Sequence, residues 1–170
     1  MGSGYSSIYA GTGGGSQPLA DSYQVVGAMR DIDKQDPDIY DSNGYFKNPT
    51  ATTIEDAVSG NKVIIDGKVP DGPITYVMDM NGNIIIGKRV NPNDGRKRAP
   101  HPTLIGGKDP QVQCAGMITF RKGKILSVDN QSGHYRPNIG SMNKVNDALN
   151  KLYDSNPNLF APGSEWRKRK

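Results

Sequence analysis

Asn81-Gly82 stands between two β-prone runs, ITYVMDM at residues 74–80 and NIIIGKRV at residues 83–90. An Asn-Gly pair tolerates the positive φ angles of a tight hairpin turn, so this local signal commits the two runs to antiparallel pairing. A second pair of runs, residues 112–120 and 124–128, flanks Arg121-Lys122-Gly123 and predicts a second hairpin. Residues 63–65 (VII) add a short β-branched segment. Helices are predicted around these strands. Residues 21–30 read as a short helix capped by Asp21 or Ser22. Thr52 or Thr53 caps another that runs through Val58 and stops at Gly60. A longer helix runs from Ser141 to about Tyr153, with Met142, Val145, Leu149 and Leu152 on one face. The expected fold is α+β: an antiparallel sheet of about five strands with flanking helices.

The 21 glycines and 12 prolines among 170 residues exclude a long helical bundle. Residues 1–20, with Gly-Thr-Gly-Gly-Gly-Ser at 11–16, have linker composition and are expected to be a flexible junction. Residues 21–156 form the expected single domain. Residues 31–50 read as loop, and residues 157–170 as an irregular basic tail ending Arg167-Lys168-Arg169-Lys170. Residues 91–110, rich in Pro and Gly, read as a long loop of a kind that often carries function. No run is long and apolar enough to span a membrane, and no basic-then-apolar leader opens the chain.

Net charge is +4, from 21 basic and 17 acidic side chains. This balance permits nucleic-acid binding without requiring it. Residues 88–98 concentrate Lys88, Arg89, Arg96, Lys97 and Arg98 against Asp94 alone. Only two acids are glutamates, Glu55 and Glu165. Cys114 is the single cysteine, so it builds neither a disulfide within the chain nor a multi-cysteine zinc site. It lies on an expected strand and reads as a buried apolar residue. The aspartates near turns lack metal-loop spacing, so no metal and no cofactor is expected. Gly106-Gly107 reads as a turn, with an anion nest as the alternative.

The two histidines have unusual contexts. His101 sits between prolines, after Arg96-Lys97-Arg98. His134 lies in Ser132-Gly-His-Tyr-Arg-Pro137, directly after the last expected strand. Ordinary surface or capping histidines are the bland alternative. Metal-free RNA cleavage needs a base at the 2′-hydroxyl, an acid at the leaving oxygen and cations around the phosphorane. Histidine fills either proton role near neutral pH. His134 is the first candidate for acid or base and His101 its partner, with Arg136 and Tyr135 completing the catalytic group. Arg98, Lys97, Lys88 and Ser132 are the candidate substrate contacts.

Three segments carry a resemblance: residues 76–89 (YVMDMNGNIIIGKR), His101-Pro-Thr-Leu-Ile-Gly-Gly followed by Cys114-Ala-Gly-Met, and Ser132-Gly-His-Tyr-Arg-Pro. Together they resemble C-terminal toxin domains of bacterial polymorphic, Rhs-type toxins, over about residues 74–153. The resemblance implies a secreted effector acting in the cytoplasm of a target cell and met there by a cognate immunity protein. The same series is similar to a segment of plant IQ-motif calmodulin-binding proteins. This chain has no IQ motif, so no calmodulin partner is expected. The order of hairpin and histidine also resembles the barnase–EndoU–RelE-like ribonucleases, although the helix from Ser141 departs from the barnase-like order. The leading expectation is an antibacterial, metal-independent ribonuclease with RNA as substrate. The alternatives are an ADP-ribosyltransferase or NAD-degrading toxin, disfavoured by the scarcity of glutamate, and a non-catalytic protein-binding module.

Overall fold

The computed structural model describes residues 26–27, 35–91, 94–132, 135, 137 and 141–168. Its centre is a five-stranded, wholly antiparallel sheet in the order Lys124–Val128, Cys114–Arg121, Gly72–Met78, Ile84–Gly87, Thr52–Thr53. With the helices packed around it, the fold is α+β.

Both predicted hairpins form, with different turns. The first closes at Met78–Ile84, leaving residues 79–83 as the loop. Asp79 enlarges it: its carboxylate accepts from the Asn81 and Asn83 amides at 2.9 and 2.8 Å. Asx bonding of this kind replaces the expected two-residue turn. The second hairpin closes at Arg121–Lys124, and Lys122 (φ 51°) and Gly123 (φ 83°) both take left-handed conformations. That is the geometry of a two-residue type I′ turn.

Side-chain alternation along the strands divides the core between the two sheet faces. On one face, Tyr76, Met78, Cys114, Ile118 and Phe120 pack with Met142, Val145 and Leu149 of the Met142–Ser155 helix. The expected helical face is therefore the one buried, with Leu152 half-buried at its end. On the other face, Val77 and Ala115 pack with Leu104, Val112 and Tyr135. Thr53 caps the short Ile54–Ala57 helix, its hydroxyl accepting from the Asp56 amide at 3.2 Å.

Four local expectations need correction. Val26–Gly27, placed in a helix by the sequence, pairs as a strand with Gln111–Val112. Pairing with a distant segment overrides local helical preference here. Residues 31–50 are not all loop: Tyr40–Asp41 pairs with Gly44–Tyr45 around an Asp41-capped turn. The 91–110 connection holds the Asp94–Arg98 strand, paired with Val90–Asn91, and the 3₁₀ turn His101–Leu104. Residues 157–168 are not an irregular tail. Leu159, Phe160, Ala161 and Trp166 are buried, and Ala161 N–H bonds to Ile125 O at 2.7 Å. The Phe160 ring lies 5.0 Å from that of Trp166 and 5.3 Å from that of Tyr153. The linker-like residues 1–20 lie outside the described residues.

Candidate functional site

His101 opens its 3₁₀ turn because Pro100 and Pro102 restrict the backbone on either side. The turn lies against the Gly72–Met78 and Ile84–Gly87 strands. Leu104 is fully buried, and a Cβ at Gly87 would come within 2.6 Å of its Cδ2, so a larger residue there would require the leucine side chain to shift.

His101 is only 7% exposed. Its Nε2 lies 2.8 Å from Gly116 O, and because a carbonyl can only accept, Nε2 carries the hydrogen. Nδ1 lies 3.1 Å from Ser132 Oγ. In the neutral ring, Nδ1 therefore accepts from the serine hydroxyl. Ser132 Oγ accepts in turn from Tyr135 N–H at 3.2 Å. Tyr135 is buried, and its hydroxyl donates to Pro110 O at 2.9 Å. Burial, with Tyr45 and Asp109 adding to it, pushes this phenol well above the usual tyrosine range and keeps it neutral.

The segment carrying Ser132 is also anchored where it leaves the sheet. Asp129 Oδ1 accepts from the Met117 and Gln131 amides, both at 2.9 Å. Asp129 O accepts from the Tyr76 hydroxyl at 2.7 Å. Gly116 makes this approach possible, since a Cβ there would lie 2.1 Å from Asp129 O. Burial raises the Asp129 carboxyl pKa, against the lowering effect of its two amide bonds. Gly116, Asp129 and Tyr76 were not among the sequence candidates. A glycine inside a strand was the available signal, because it marks a close backbone approach.

The structure thus joins His101, Ser132 and Tyr135, which are far apart in the chain or in their expected roles. Tyr135 is an internal anchor and presents no face to solvent. His134 and Arg136 lie outside the described residues. Arg98 and Lys97 have their backbone on the Asp94–Arg98 strand, which leads within three residues to His101; their side chains lie outside the described residues. Lys88 is apart from this group in its contacts, with Nζ 3.1 Å from Asp66 Oδ2.

The remaining motifs take structural roles. Gly106 N–H bonds to Pro102 O at 2.8 Å and Gly107 N–H to Tyr45 O at 3.0 Å. Both amides are directed into the fold, as a turn requires, and leave no nest for an anion. Cys114 is fully buried; Ser141 Oγ–H donates to its sulfur at 3.2 Å, and burial raises the thiol pKa. A neutral, enclosed thiol is unsuited to nucleophilic attack. Among the described residues no group of three or more His, Cys, Asp or Glu side chains converges as a metal site.

A separate groove of about 640 Å³ lies along the long helix, lined by Glu55, Met78, Met80, Lys144 and Lys151 among others. Neither His101 nor Ser132 lines it. Glu165 opens the short C-terminal helix Glu165–Lys168.

What the central arrangement can do chemically is fix a loop. A buried histidine with both ring nitrogens engaged has one tautomer and one orientation, and it ties the 3₁₀ turn, the sheet and Ser132 together. No protein-family model, curated protein or solved structure matches the chain.

Proposed function

We propose that the chain is an antibacterial toxin domain that cleaves RNA without a metal ion. The observation that carries this reading is the 3.1 Å contact between His101 Nδ1 and Ser132 Oγ. It brings the chain leaving the basic Asp94–Arg98 strand against the start of Ser132-Gly-His-Tyr-Arg-Pro, the loop in which the sequence concentrates its site chemistry.

In this reading the 2′-oxygen attacks the adjacent phosphorus and the P–O5′ bond breaks, leaving a 2′,3′-cyclic phosphate and a free 5′-hydroxyl. One group removes the 2′-proton and another protonates the leaving oxygen. His134 takes one of these proton roles. Arg136, Arg98 and Lys97 neutralise the phosphorane, and Lys88 joins them by exchanging its exposed Asp66 partner for phosphate, since such a pair contributes only about 0–1 kcal/mol. His101 then acts by holding the loop. A delivered toxin of this kind would act in the target cell's cytoplasm, and a positively charged domain favours an acidic immunity protein.

The test incubates purified protein with total bacterial RNA and, separately, with NAD, both in EDTA. RNA breakdown that survives EDTA and falls by at least about 10²-fold in His134→Ala is the expected result. In His101→Gln the pH profile of kcat/KM should keep its shape while its height falls. A lost limb would make His101 itself a proton carrier. NAD consumption with intact RNA would replace this reading by the NAD-directed one. Neither activity would leave a non-catalytic module.

A further inference from the structure

The tip of the second hairpin, Arg121 to Lys124, takes no part in the site above. Lys122 there adopts φ 51°, in the left-handed region that Gly, Asn and Asp fill most easily. Asp66 is the other non-glycine residue with positive φ among those described, and as an aspartate followed by glycine it is in ordinary turn chemistry. A lysine held in that conformation at an exposed tip is strained, and strain of this kind points to a use for the side chain.

The tip belongs to a larger cationic surface. Gly123 N–H bonds to Pro70 O and Gly123 O accepts from Val63 N–H, both at 2.8 Å. A Cβ on Gly123 would lie 2.7 Å from Val69 Cγ1 and 3.1 Å from Lys62 Cβ. Lys62, Lys68, Arg121 and Lys122 are all exposed. Lys124 is half-buried, its ammonium donating to Asn61 O at 3.2 Å and Asn158 O at 2.5 Å. Asp71 accepts from the Lys122 amide at 3.0 Å, and Asp66 in the next turn pairs with Lys88. Residues 62–71 and 121–124 thus carry five cations against two carboxylates, Asp66 and Asp71, one of them already in an ion pair.

We propose that this tip is a second grip for the phosphate backbone of RNA. The proposal rests on the ribonuclease reading only in choosing RNA among polyanions. Lysine-rich surfaces are poor protein interfaces, whose centres favour aromatic residues, Met and Arg and are depleted in Lys. Phosphate backbones, in contrast, are bound by positive charge with little demand on side-chain shape. Exposed Val69 beside the tip (42%) makes anionic lipid the competing occupant.

The test measures fluorescence anisotropy of a labelled 2′-O-methyl RNA across a salt series in EDTA. Methylation removes the attacking hydroxyl, so binding is read independently of cleavage. Lys122→Asn should weaken binding about 3–10-fold at low salt and flatten the log–log salt slope by about 0.7 for the lost phosphate contact. Its melting temperature should match or exceed wild type, because Asn-Gly is the favoured pair for this turn. Lys62→Gln should act in the same direction, and Lys151→Asn on the long helix should leave affinity and slope unchanged. Equal loss in Lys151→Asn, no loss in Lys122→Asn, or binding to phosphatidylserine vesicles with none to RNA would each overturn the proposal. Tip-dependent RNA binding by a protein that cleaves no RNA would uphold the grip and remove the ribonuclease reading.

Discussion

Asp129 shows how one residue here is set by two opposed effects. Its carboxylate accepts two backbone amides, which favours ionisation, yet partial burial prevails and raises its pKa. The unfolded carboxyl titrates at about 3.9. A raised folded value means that folding favours the protonated form. That contribution to stability is fully present below the unfolded pKa and is lost as pH rises through the folded one. Asp129→Asn keeps an oxygen for both amides and removes the charge. The variant should therefore be at least as stable as wild type at neutral pH, and any advantage should vanish in acid. Melting temperatures between about pH 3 and pH 7 check this. A neutral-pH loss in the Asn variant would show that the ionised bonds outweigh the cost of burial.

At the scale of elements, the parts legible in the sequence are those whose cause is local. The hairpins at Asn81-Gly82 and Arg121-Lys122-Gly123 and the helix marked by the 3–4 spacing of Met142, Val145 and Leu149 all form, although the first hairpin closes through Asp79 and not through a two-residue Asn-Gly turn. Residues 157–168 carry no such pattern. They are fixed by Phe160 and Trp166 entering a core built elsewhere, which no window of the sequence displays. The site divides in the same way. The prolines around His101 were readable, but its burial depends on Gly116 and Ser132, 15 and 31 residues away. The C-terminal segment should behave as part of the core. Trp166 is 1% exposed, packs against Phe160 with the rings tilted by 51°, and its indole N–H donates to Asn150 Oδ1 at 3.1 Å. Trp166→Ala should cost about 3–5 kcal/mol, measured by denaturant unfolding. A cost below about 1 kcal/mol would return the segment to the status of a surface tail.

Across the whole molecule, the Cys114–Arg121 strand connects the anchor of the proposed cleavage loop with the cationic tip. Gly116 receives His101 near one end, and Arg121 enters the cationic tip at the other. Five residues of extended strand separate them, about 17 Å at roughly 3.3 Å per residue. Stacked nucleotides advance about 3.4 Å each, so a substrate needs about five of them to reach from one place to the other. Length dependence follows from that spacing. With a dinucleotide, Lys122→Asn should have the same kcat and KM as wild type, because the substrate never reaches the tip. With an RNA of a dozen nucleotides, KM should rise several-fold while kcat stays unchanged, because the tip contributes equally to binding of substrate and transition state. An effect on kcat with the dinucleotide would mean that the hairpin acts on the site through the fold. Equal KM values at both lengths would mean that RNA leaves the site in another direction and the tip lies off its path.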